Sequence, residues 1–156
     1  MIHNDVLRRL RYALDLEDAR MIRLFALSGV TVDEATLRSL LARETDPSFV
    51  ACTDAQLAAF LDGLIVDRRG PRDPAAPARP KGAPRLDNNL VLKKLRVALE
   101  LKEDDMLAVL KLGGMDLSSS ELGALFRNEQ HKHYRPCGDQ LLRNFLKGLT
   151  VRLRGA

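Results

Sequence analysis

Apolar residues recur every three or four positions in four short stretches, and the whole set then returns once. Over 4–15 the stripe is Val6, Leu7, Leu10, Ala13 and Leu14, and over 18–28 it is Met21, Leu24, Phe25 and Leu27. Over 32–44 it is Leu37, Leu40 and Leu41, and over 54–68 it is Leu57, Phe60, Leu61, Leu64 and Ile65. Spacings of i, i+3, i+4 and i+7 put these side chains on one side of a helix, so each stretch is predicted as amphipathic α-helix. The punctuation agrees. Thr31 with Glu34, Thr53 with Gln56 and Ser118 with Glu121 have capping-box spacing, and Gly29, Gly70, Gly114 and Gly155 fall where helix C-terminal caps belong. Arg68 and Arg69 occupy a last turn, as the helix dipole favours.

Setting Asn4 over Asn89 and reading on without a gap aligns the run 4–11 with 89–96, Met21 with Met106, Gly29 with Gly114, Cys52 with Cys137 and Asp54 with Asp139. Phe60, Leu61, Gly63 and Leu64 meet Phe145, Leu146, Gly148 and Leu149. Roughly one position in three is identical over the whole unit, too long a run in one register for chance, so the unit is duplicated. The prediction is an all-α chain of two tandem four-helix repeats, 1–70 and 88–156. Between them, 71–87 carries Pro71, Pro74, Pro77, Pro80 and Pro84 and is predicted as an extended tether. One repeat alone buries little apolar surface, so the two are expected to pack together with approximate two-fold pseudo-symmetry.

Composition changes this picture little. Apolar residues make up 46% of the chain, enough for a core, while aromatics are 4% and Trp is absent. No apolar run approaches a membrane span, and the start of the chain lacks the apolar stretch of a secretory signal, so a cytoplasmic protein without a membrane partner is expected. Two cysteines, Cys52 and Cys137, do not make a disulfide framework and are read as small buried fillers. The formal net charge of +4 is uneven: the second repeat is basic and the first slightly acidic.

Candidate chemistry is sparse. There is no P-loop, no nucleophile elbow, no Gly-rich dinucleotide loop and no zincin motif, so no enzyme activity and no cofactor are expected. His131, His133 and Cys137 lie close in sequence, but a fourth ligand is missing and the first repeat has Asp46 and Ser48 instead of the histidines, so no metal site is expected. Asn4 and Asn89 fit N-caps of the first helix of each repeat. Arg11 with Asp54, and Arg96 with Asp139, are predicted as structural pairs clamping the first helix of a repeat to its fourth. Gly63 and Gly148, disfavoured inside a helix, mark a close helix–helix approach. Arg8, Arg9, Lys93 and Lys94, with Arg143, Lys147, Arg152 and Arg154, form basic clusters able to contact a partner or to track phosphates.

The runs 88–96, 60–70 and 137–149 resemble the bacterial YehS-like family, in which a domain of unknown function is duplicated. The resemblance covers nearly the whole chain outside the Pro-rich segment. It implies a bacterial cytoplasmic protein and brings no catalytic residue, cofactor or partner. The functional expectation is therefore a non-enzymatic module that binds another protein through paired helical surfaces. The alternative is a nucleic-acid binder using its basic helix faces.

Overall fold

The computed structural model of the chain describes residues 1–71 and 85–155. Among these residues there are eight helices and no strand: α1 His3–Ala13, α2 Asp18–Leu27, α3 Glu34–Leu41, α4 Asp54–Arg69, α5 Asn88–Ala98, α6 Glu103–Leu112, α7 Ser119–Leu125 and α8 Asp139–Arg154. The predicted tether falls mostly on 72–84, which lie outside the described residues. Of its end, Leu86 is buried in the core and Asp87 caps α5 by accepting from Leu90 N–H at 2.8 Å.

The third helix is shorter than the predicted 32–44. Its cap is Asp33, which accepts from Thr36 N–H, and not Thr31. It stops at Leu41 because Ala42 turns extended, after which the chain runs irregularly to the start of α4. The boxes at Thr53–Gln56 and Ser118–Glu121 form as the spacing predicts.

Asn4 and Asn89 are not caps. Each sits inside its helix and pins the irregular segment that follows the third helix of its repeat. Asn4 Nδ2 donates to the carbonyls of Leu40 and Val50, and its Oδ1 accepts from Cys52 N–H, all at 2.9 Å. Asn89 repeats the pattern with Leu125, Arg135 and Cys137. Backbone groups outside a helix need partners when buried, and one amide side chain supplies three of them here.

Within each repeat the second helix packs on the fourth, α2 on α4 and α6 on α8. Between repeats α1 lies against α8 and α4 against α5. Each first helix thus packs mainly on the fourth helix of the other repeat, the reciprocal arrangement expected of a pseudo-two-fold. One core results, with Leu7, Leu10 and Phe60 joined to Leu92, Leu95 and Phe145. The helices approach backbone to backbone at Gly63, where a Cβ would lie 1.7 Å from the Leu24 carbonyl oxygen, and at Gly148, 1.8 Å from that of Val109. Leu24 and Val109 are themselves aligned positions, so both copies keep the same crossing.

The register that sets Asn4 over Asn89 also organises the polar seams. Asp15 and Glu100 end the first helix of each repeat with φ of 53° and 54°, a left-handed conformation that non-glycine residues seldom adopt. Their carboxylates meet Arg154 at 3.2 Å and Arg69 at 3.5 Å, the last-turn arginines of the opposite repeat. Asp54 accepts from His3 of its own repeat and from Leu86 N–H beside the other; Asp139 accepts from Asn88 and from the α-amino group of Met1. These donors hold both carboxyls below the usual carboxylate range, His3 first for Asp54 and the α-amino group first for Asp139.

Candidate anion-binding groove between the repeats

The α1–α8 and α4–α5 seams are pseudo-equivalent, so each position on one has a counterpart on the other. On the α4–α5 side Lys94 donates to Asp62 at 2.6 Å, and both side chains are largely shielded, 19% and 14% exposed. The same register sets Arg9 over Lys94 and Lys147 over Asp62. The acid of one seam is therefore a lysine in the other, and the α1–α8 seam faces arginine with lysine.

At two other pairs of aligned contacts the copies keep their charges matched, whereas Asp5–Arg8, Arg11–Asp18 and Glu121–Arg135 have no counterpart among the described residues. Arg20 pairs with Asp67 at 2.6 Å, and the aligned positions pair with the signs exchanged, Asp105 with Arg152 at 3.0 Å. Asp15–Arg154 and Glu100–Arg69 keep both sign and geometry. Against this pattern the Arg9–Lys147 seam lacks compensation: among the described residues neither cation has an ion-pair partner.

These two cations line a cavity of about 680 Å³ between α1 and α8, together with Arg8, Arg43 and Tyr12. The carboxylates of Asp5 and Glu44 are in the same wall, and Asp5 is taken up by Arg8, which also donates to the Ala42 carbonyl at 2.7 Å. Arg43 has no ion-pair partner among the described residues. A second depression of about 800 Å³ shares Arg8 and Tyr12 in its wall and continues towards Asp15, Glu17 and Asp18. Tyr12 is 55% exposed, and the Arg154 guanidinium lies 4.3 Å from its ring centroid. In the twin seam the aligned residues are Val97 for Tyr12, Asn128 for Arg43 and Ile65 for Thr150. The groove is cationic and aromatic on one side of the molecule only.

The predicted Arg11–Asp54 and Arg96–Asp139 clamps do not form. Arg11 pairs with Asp18 at 2.7 Å and donates to the Leu16 carbonyl. Arg96 donates to the Leu101 carbonyl and lies over the Phe126 ring. The start of α4 faces the start of α1, at His3, and eight residues of helix put Arg11 about 12 Å further along. Each arginine instead closes the turn after its own helix.

The predicted basic residues separate into two groups. Arg8, Arg9 and Lys147 come together in the groove. Lys94 is neutralised by Asp62, Arg152 by Asp105 and Arg154 by Asp15, while Arg143 donates to the Gln140 side chain. Lys93 lies within the second repeat, in a depression between α5 and the segment after α7, beside Asp87 and Glu129. Sequence reasoning missed Arg43 and Tyr12. A search for matches between the copies passes over both positions, because the groove is built where the copies differ.

The remaining candidates are structural in their contacts. His131 Nδ1 accepts from His133 N–H, the turn that Asp46 makes with Ser48 in the first repeat. Among the described residues no three His, Cys, Asp or Glu side chains converge as metal ligands. Burial pushes the Cys52 and Cys137 thiols up to about 12, which keeps them protonated and poor nucleophiles at neutral pH.

The facing of residues 9 and 147 has its own check. Lys147→Asp recreates the charge pattern of the closed seam and should raise the thermal midpoint by about 1–3 °C. A lowered midpoint in thermal denaturation would mean that the two side chains do not oppose each other.

Comparison with known proteins adds a family. A family model described as "Protein of unknown function (DUF1456)" matches residues 3–70 and again residues 88–155. The chain is similar to "Uncharacterized protein YehS" of Escherichia coli (strain K12), 42% identical over 152 residues, which covers 97% of this chain and 96% of that relative. No solved structure matches.

Proposed function

Since the chain belongs to the DUF1456 family, whose function is unknown, we propose from its own geometry a non-enzymatic binding module whose partner is nucleic acid, held by its phosphates in the α1–α8 groove. One observation carries this: Arg9 and Lys147, both exposed, line one recess at the positions whose twins hold an ion pair, with Arg8 and Arg43 in the same wall. Like charges held together in a folded protein destabilise it, and a bound phosphate turns that repulsion into attraction. Arginine and lysine are the side chains that contact phosphate oxygens.

The donor set of the groove supports the non-enzymatic part of this reading. Its hydroxyls are Tyr12 and Thr150, and Thr150 Oγ1 donates to the Leu146 carbonyl. No histidine or thiol lines its wall. A protein adaptor working through helical surfaces has less support. Among the described residues the exposed large apolar side chains, Tyr12, Val50, Val97, Leu112 and Leu153, sit on five separate segments. No helix among the described residues is long and apolar enough to cross a membrane.

Fluorescence anisotropy with labelled oligonucleotides at several salt concentrations tests the reading. Arg9→Glu combined with Lys147→Glu should weaken binding at least tenfold and lower the salt slope by about 1, the value for one lost phosphate contact. Lys93→Glu, outside the groove in the second repeat, should leave affinity within about twofold. The proposal fails if the native protein binds no oligonucleotide at low salt, or if Lys93→Glu does equal damage. It fails equally if poly-glutamate competes as well as nucleic acid does, for then the groove reads an acidic protein surface.

A further inference from the structure

We infer that the groove takes a single strand, with a phosphate between Arg9 and Lys147 and an unpaired base against Tyr12. This rests on the nucleic-acid reading above and goes further, to the form of nucleic acid.

The first argument is the division of chemistry along the groove. At one end the wall carries Arg8, Arg9, Arg43 and Lys147 against Asp5 and Glu44, so cations are in excess there. Past Tyr12 it carries Asp15, Glu17 and Asp18 balanced by Arg8, Arg11 and Arg154, with Asp15 paired to Arg154 and Asp18 to Arg11. Phosphate is favoured at the first end and gains nothing at the second, where the charges balance. A base carries no charge, so it loses nothing in a balanced wall, and its amino and imino donors can meet Glu17, which has no ion-pair partner among the described residues. One nucleotide laid along the groove satisfies both ends, with its ring beside the residue that the two depressions share.

The second argument is shape. A protein that reads duplex DNA inserts a protruding helix or ribbon into the major groove, or lays cations on a convex face along the phosphates. Here the cations surround a recess between two helices, which a cylinder cannot enter and a splayed base can. Proteins that bind single strands combine a cationic groove with an exposed aromatic ring, and stacking there is worth about 1–3 kcal/mol per base. Tyr12 is the one large aromatic side chain in the groove wall, and it is more than half exposed. The Arg154 guanidinium over its ring holds it in place from the opposite repeat. The twin seam has Val97 at this position and an ion pair at the phosphate position, so one strand binds per molecule.

The experiment compares a labelled oligonucleotide of about 12 residues, single-stranded and annealed to its complement, on the full chain. The single strand should bind at least tenfold tighter than the duplex, with a stoichiometry of one. Tyr12→Ala should cost about tenfold in single-strand affinity, Tyr12→Phe should restore it, and neither should alter duplex affinity. Thermal denaturation of both variants confirms folding; Tyr12 is exposed, so a native-like midpoint is expected. Equal binding of the two forms, or Tyr12→Ala without effect on the single strand, overturns the inference. If in that case Arg9→Glu with Lys147→Glu still abolishes binding, the groove remains a phosphate site and only the single-strand assignment falls. If neither form binds the native protein, both proposals fall together.

Discussion

Gly63→Ala should destabilise the protein by at least about 3 kcal/mol, although intrinsic helix propensity alone argues for a gain of about 1 kcal/mol. The sign comes from the crossing of α2 and α4. A methyl group on Gly63 would stand 1.7 Å from the Leu24 carbonyl oxygen and 2.6 Å from its carbon. Both atoms belong to the backbone of a helix, so no rotamer change relieves the overlap. The helices must separate, and Leu24, Phe60 and Leu64, which are fully or almost fully buried, lose contacts together. Gly148→Ala should behave alike against Val109. Gly123→Ala is the control: it lies inside α7 with nothing within 4 Å of the added carbon, and should stabilise by up to about 1 kcal/mol. Urea unfolding of the three variants decides it. A gain in stability at Gly63 would show that the two helices do not meet there.

Asn4→Ala should cost about 3 kcal/mol or more. Asn4 is 1% exposed, and its removal strands two carbonyls and one N–H, of Leu40, Val50 and Cys52. Each stranded buried group costs about 1–3 kcal/mol, and local rearrangement makes the sum less than additive. Part of the loss should be local, loosening the segment from Ala42 to Thr53. Cys52 reports that loosening. Its thiol, held near 12 by burial, should react slowly with alkylating reagents in the native protein and much faster in the variant, while Cys137 stays protected. Asn89→Ala should cost less, because Asn89 is only half-buried and water reaches the groups it leaves. Equal alkylation rates for Cys52 with and without the Asn4 amide would refute the pinning role.

The helix positions and the duplication were legible because they depend on neighbours in sequence. Periodicity marks the buried face of each helix whatever that face meets, and caps at Thr53, Ser118 and Gly29 act within one turn. The same local logic misled at Asn4. An asparagine at the start of a helix reads as a cap, and nothing in the adjacent residues shows that its partners lie 36 to 48 positions away. Arg11 and Asp54 erred for a related reason. Both belong to the interface between helices, but their helices run so that the two residues sit at different heights.

By itself, the sequence determined that this chain is helical, that it consists of one module doubled, and that each module must bury an apolar stripe too large for it to keep alone. Only the tertiary structure decided which helix of one module meets which helix of the other. That choice places Arg9 opposite Lys147, more than a hundred residues away, and Lys94 opposite Asp62. Apolar burial is non-directional and accepts many partners, so its pattern survives in a single sequence. The sign of a charge pair depends on the one residue that faces it, and that residue becomes known only when the two modules are docked.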